Sequence, residues 1–145
     1  MVIKKIYNWK RFWCLRDGTI NLSDGGYLYD PESFLGQGYN SGVIPFEKIS
    51  DVRCLILLGE PGMGKSTAMR DAYESVKETG RRVLFKDLKA YSDYRLEHSV
   101  FGSDEVNDWI KSSEDLHLFF DGYDESPIRK DSLGALLREF LQKLP

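Results

Sequence analysis

The chain has 145 residues, a length that suits one compact domain or a piece of a larger protein. Hydrophobic residues make up 41% and charged residues 30%, at a formal net charge of −3. That balance excludes a disordered tail and speaks against a protein that coats nucleic acid, so no nucleic-acid partner is indicated. No run of about 18 uncharged apolar residues occurs, so no transmembrane helix and no membrane partner are expected. The N-terminal MVIKKIYNWKRFW lacks the apolar core of a signal peptide. With Cys14 and Cys54 alone and no export signal, a reducing cytoplasm is expected, and Cys54, opening an apolar run, reads as a buried thiol.

In chain order, residues 1–42 form a short β-rich region and loop. Segments 7–15, 19–22 and 26–29 are strand-like, with Asp17-Gly18 and Asp24-Gly25-Gly26 as turn signals, which predicts a hairpin or small antiparallel appendage. Residues 30–42 are expected to be a loop. Residues 43–145 read as a second domain. The run 53–58 (RCLILL) predicts a strand buried on both faces. A glycine-rich loop follows, then a helix over 66–78 with an apolar stripe of Ala68, Met69, Ala72, Tyr73 and Val76, stopped by Gly80. Residues 82–85 (RVLF) and 116–120 (LHLFF) predict two further buried strands, with helices over 91–96 and 105–110 between them. Alternating strands and helices predict an α/β fold with a parallel sheet and right-handed crossovers. The segment 131–144 is an amphipathic helix, with Leu133, Leu136, Leu137, Phe140, Leu141 and Leu144 on one stripe.

The glycine-rich loop is Gly59-Glu60-Pro61-Gly62-Met63-Gly64-Lys65-Ser66, which fits G-x-x-x-x-G-K-[ST]. The residue types follow from the chemistry. Glycines let backbone N–H groups close around a phosphate, and the helix behind aims its positive end at the same anion. Lys65 is expected between the β- and γ-phosphates of ATP, Ser66 on Mg²⁺ and Thr67 at the α-phosphate. A chance match in a chain of this length has odds on the order of one in a hundred or less.

Such a loop works with an aspartate at the end of a neighbouring buried strand, which holds Mg²⁺ through water. Asp121 follows LHLFF directly, and Asp124 or Glu125 is then placed to orient or deprotonate the attacking water. The run Asp121-Gly122-Tyr123-Asp124-Glu125 resembles the NACHT family, within the signal transduction ATPases with numerous domains. The resemblance covers residues 43 to about 142. It implies an ATP-dependent conformational switch with slow hydrolysis, assembling with copies of itself or with signalling partners, often in defence. It also implies that Ile44, Pro45 and Phe46 lie near the adenine. Gly122 stands where most related ATPases carry a second acid. The resemblance further implies a middle sheet strand and lid helices that have no room after Leu144. The chain is therefore read as the front part of a longer protein, with the leucines of 131–144 left uncovered and hydrolysis by this piece alone doubtful.

Alternative readings are an AAA-type ATPase, a small-molecule kinase, or a non-catalytic nucleotide-binding interaction module. Against guanine specificity, no Asn-Lys-x-Asp occurs. The run 22–26 (LSDGG) resembles a transporter signature but stands on the wrong side of the loop. Arg81, Arg82, Lys86 and Lys89 read as a solvated face, His117 as a satisfied core histidine, and Trp9, Trp13 and Trp109 as packing residues.

Overall fold

The computed structural model describes residues 10–22, 25–142 and 144. The start of the first predicted strand at 7–9, the packing assignment of Trp9, and Ser23 and Asp24 of the 22–26 run lie outside the described residues. The architecture is mixed α/β, in two compact units, Met1–Ala68 and Met69–Pro145.

In the first unit, β1 (Phe12–Cys14) pairs antiparallel with β2 (Val43–Pro45), Phe12 opposite Pro45 and Cys14 opposite Val43. The strand partner therefore comes from beyond residue 42 rather than from the predicted hairpin, of which a single bridge, between Leu22 and Leu28, remains among the described residues. One side chain accounts for the change. Asn40, only 2% exposed, accepts from the Asn21 N–H at 2.8 Å and donates to the Asn21 carbonyl at 3.0 Å. Both polar backbone groups of Asn21 are thereby satisfied without a ladder neighbour. The expected loop at 30–42 also carries a helix, α1 (Phe34–Tyr39). Ser33 caps it, accepting from the Gly36 N–H at 3.0 Å while donating to the Asp30 carbonyl at 2.7 Å.

The strand predicted over 53–58 does not form. Ile56 is 76% exposed and Leu58 60%, and Cys54, expected buried, is exposed. An apolar run becomes a strand only where another strand offers matching N–H and C=O groups, and among the described residues no strand pairs with it. The helix after the glycine-rich loop, α2, runs Lys65–Glu78, and Gly80 leaves it at φ +77, the left-handed conformation that terminates helices.

The second unit is built on a parallel pair. β3 (Arg82–Asp87) lies beside β4 (Leu116–Asp121) in continuous register from Arg82 opposite Leu116 to Asp87 opposite Asp121. Parallel neighbours need a crossover. It is supplied by a 3₁₀ turn at Leu88–Ala90, α3 (Asp93–Leu96) with Ser92 as its cap, a π-helical turn at Glu97–Phe101, and α4 (Asp104–Ile110) capped by Ser103. Leu84, Leu88, Leu96, Val100, Phe101, Val106, Ile128 and Phe140 form the core. On the other flank, Tyr73 of α2 meets Phe85 and Phe119 edge-on, at 5.6 and 6.0 Å between ring centroids.

The last helix, α5 (Lys130–Gln142), corrects a further expectation. Its leucines are covered: Leu133, Leu136, Leu137 and Leu144 pack partly buried against the core, and Phe140 is buried within it. Leu141 alone of the predicted stripe stands well exposed. The crossover helices turn an aromatic wall, Phe101 and Trp109, toward α5, so its apolar face finds a partner inside the same unit.

Candidate functional site

The glycine-rich loop belongs to the first unit. Gly62 and Gly64 have φ of +84 and +86, a backbone region that residues with a Cβ occupy only under strain. These two angles turn the chain tightly enough to bring Lys65 back over its own loop. The Lys65 ammonium donates to the Gly59 carbonyl at 2.7 Å and to the Glu60 carbonyl at 3.0 Å, lacing the start of the loop to its end. Inside the loop the Met63 N–H reaches the Glu60 carbonyl at 3.4 Å, and the Ala68 N–H takes the Gly64 carbonyl at 3.0 Å, which is where regular helical bonding begins. The N–H groups of a helix's first turn have no acceptor within the helix, and here they belong to Lys65, Ser66 and Thr67. A compact glycine-rich loop ahead of a 14-residue helix is suited to an oxyanion. Glu60, Pro61 and Met63 are exposed along its outer turn.

A second residue touches this loop that the motif does not contain. Arg11, immediately before β1, lies across Gly64. A methyl group on Gly64 would stand 3.2 Å from Arg11 Cδ and Cζ, with Nε nearer still. No sequence pattern links positions 11 and 64.

Ile44 and Pro45, expected near a base, line a cavity of about 400 Å³ together with Pro31, Gln37, Asn40 and Lys48. Phe46 turns instead to Trp13, edge to face at 6.3 Å.

The acidic run belongs to the second unit. Asp121 ends β4, its Oδ1 accepting from the Gly122 N–H at 2.9 Å. Gly122 takes φ +70, a region strained for any side chain, and a Cβ there would stand 2.9 Å from Asp87 Oδ1 and from Lys89 Cε and Cγ, so a larger residue would have to push those side chains aside. This is a physical reason for the glycine that replaces the usual second acid. The chain then makes a 3₁₀ turn at Tyr123–Glu125. Lys89 Nζ lies 2.8 Å from Glu125 Oε2. Asp124 is exposed and has no ion pair among the described residues. Parallel register sets Asp87 beside Asp121, so two carboxylates, Lys89 and Glu125 gather at one end of the sheet. Lys89 is solvent-exposed, as a solvated face requires, and its charged neighbours are acids. The signal lay in the sequence: Lys89 follows the β3 terminus by two residues, and parallel strands end together.

The hydrogen bond that the Lys89 ammonium donates to Glu125 raises its pKa above the ordinary 10.5; the charges of Glu125, Asp87 and Asp121 add to this, and desolvation opposes it. A pKa raised on folding stabilises the native state fully below the unfolded value and ceases to do so as pH climbs through the folded value. Thermal unfolding of Glu125→Gln followed from pH 9 to about 12 is accordingly expected to show a shallower alkaline decline than the parent protein. Identical slopes would mean that the pair contributes nothing.

His117 departs from the expectation of a satisfied core histidine. It is half-buried on β4, and its Nε2 is buried without a hydrogen-bond partner among the described residues. Trp13 Nε1 is in the same condition. Trp109 behaves as the packing residue expected, stacking obliquely near Phe140 while its Nε1 donates to the Glu114 carbonyl at 2.6 Å.

Among the described residues no group of three or more histidine, cysteine or acidic side chains gathers as a metal cage. Mg²⁺ characteristically needs none, taking one or two protein oxygens beside phosphate and water. No described helix is long and apolar enough to cross a membrane. In comparisons with protein-family models, curated proteins and solved structures, nothing matches the chain.

Proposed function

We propose that this chain binds ATP with Mg²⁺ through residues 59–67, as the nucleotide site of a regulatory ATPase resembling the NACHT group. The observation that supports this most is the Lys65 ammonium, bonded to the carbonyls of Gly59 and Glu60 and so held at the mouth of a loop shaped by Gly62 and Gly64. In this reading the loop's backbone N–H groups hold the phosphates, Lys65 neutralises the β- and γ-oxygens, and Thr67 reaches the α-phosphate. Ser66 and Asp121 are assigned as the Mg²⁺ residues, Asp121 through water. Bound Mg²⁺ supplies neutralisation of phosphate charge.

Hydrolysis, in the full-length protein, is in-line attack. A water oxygen bonds to the γ-phosphorus, the bond to the bridging oxygen breaks, and ADP leaves with that oxygen. The water's proton passes to a carboxylate. Because Glu125 is engaged by Lys89, we assign this role to Asp124. Slow turnover of this kind suits a conformational switch whose ATP and ADP states differ in self-assembly or partner binding, and a role in defence signalling follows from the resemblance.

The test is titration of the full chain with Mg·ATP. The parent protein is expected to bind and Lys65→Ala to bind about thirtyfold or more weakly, the loss of a charged hydrogen-bonding group at the phosphates. Equal affinities for the two proteins would sink the reading.

A further inference from the structure

We propose that Arg11 is a second phosphate-binding cation of the 59–66 loop, contributed by the N-terminal appendage and engaging the polyphosphate of a nucleotide; this rests on the nucleotide reading given above. Three observations carry it. The first is position. Arg11 Cδ and Cζ lie 3.2 Å from the place a Gly64 Cβ would take, so the guanidinium rests on the bare α-carbon of the last glycine before Lys65. That is the point at which the loop hands over to the helix N-terminus, and an anion held by the first-turn N–H groups lies within reach of a planar five-donor fork.

The second observation is anchorage. Arg11 adjoins β1, whose three residues are held in register against β2, with Phe12 opposite Pro45. Its backbone is therefore tied to a strand pair rather than to a wandering tail, which lowers the entropy lost when the side chain grips a ligand.

The third is charge. Among the described residues Arg11 has no carboxylate partner, although Lys10, its neighbour, is engaged by Asp30 at 3.8 Å and by Glu32. A half-buried guanidinium with no ion pair among the described residues, lying against Gly64, adds positive charge where the loop meets the helix N-terminus. Lys65 adds a second cation, whose ammonium is hydrogen-bonded to neutral carbonyls. Two cations at one glycine-rich loop suit a ligand of more than one negative charge, a nucleoside di- or triphosphate rather than a monoester.

The experiment titrates the full chain with ATP, ADP and AMP, each with Mg²⁺, using the parent protein, Arg11→Gln, Arg11→Lys and Lys65→Ala. Arg11→Gln is expected to weaken ATP and ADP about tenfold or more, to leave AMP within about twofold, and to flatten the salt dependence of ATP binding. Arg11→Lys should recover part of the loss because it keeps the charge and loses only the fork. Arg11→Gln binding ATP as the parent does, while Lys65→Ala fails, would overturn the role of Arg11 and leave the nucleotide site standing. Tighter ATP binding by Arg11→Gln would also overturn it, marking the guanidinium as an obstruction. Absence of nucleotide binding by the parent protein would overturn both. A uniform loss across ATP, ADP and AMP, unrelieved in Arg11→Lys, would assign Arg11 to packing and defeat the proposal.

Discussion

Phe140→Ala is expected to lower the stability of the chain by about 3–5 kcal/mol, the cost of removing a large ring from a packed core and leaving a void behind. Phe140 is 6% exposed, stacks on Phe101 with centroids 4.6 Å apart and planes 27° from parallel, and lies 6.1 Å from Trp109. Three elements therefore share one ring: the π-helical turn, α4 and α5. Because α5 meets the core through Phe140 and its neighbouring leucines, the truncation should loosen the whole helix as well as open a cavity. Urea unfolding followed by circular dichroism measures the loss. A change below about 1 kcal/mol would show that α5 is not docked in solution as described, since a solvent-facing phenylalanine would cost little.

The second large effect is expected at Gly64. Alanine there would force a side chain into the left-handed region, at about 1–2 kcal/mol, and would also overlap Arg11. Together these predict Mg·ATP affinity at least tenfold weaker, at 1.4 kcal/mol per decade. Gly62 supplies an internal control. It has nearly the same φ, +84 against +86, but a Cβ on it would meet nothing within 4 Å. Gly62→Ala therefore carries the backbone strain alone, and the excess loss in Gly64→Ala measures the overlap with Arg11. In the Arg11→Ala background that excess should vanish, so that Gly64→Ala there costs no more than Gly62→Ala does, a coupling readable in a double-mutant cycle. If Gly64→Ala binds as tightly as the parent protein, the loop does not have the conformation described.

The second unit could be read from the sequence almost entire. RVLF and LHLFF are short apolar runs flanked by polar residues, and each became a strand, extended by one or two residues to its terminal aspartate. Ser92 and Ser103 mark the starts of α3 and α4 as capping residues do. The phosphate motif is legible for another reason: its glycines have conformational duties that no other residue performs, and Gly62 and Gly64 do adopt positive φ.

What could not be read is pairing. Phe12–Cys14 is strand-like in isolation, but nothing local says that its partner is Val43–Pro45, some thirty residues on. That choice rests on Asn40 and Asn21, two ordinary polar residues whose side-chain and backbone groups happen to fit. The run 53–58 taught the reverse lesson. Its composition reports a preference for burial, which a chain can satisfy only where a neighbour exists. Lys89 escaped notice because charge counting along the sequence places it among basic residues, whereas parallel register places it among acids. For the loop and Asp121 the notable gap is Arg11, whose relation to Gly64 is purely three-dimensional.

The bare run at 53–58 has a practical consequence for anyone handling the protein. Six residues carrying one charge, rich in leucine and isoleucine and free of proline, have the composition of an aggregation-prone segment. With Ile56 and Leu58 turned to water, self-association at high concentration has a ready starting point there, ahead of any specific assembly. Oligomers seen in concentrated preparations would then report stickiness before they report signalling.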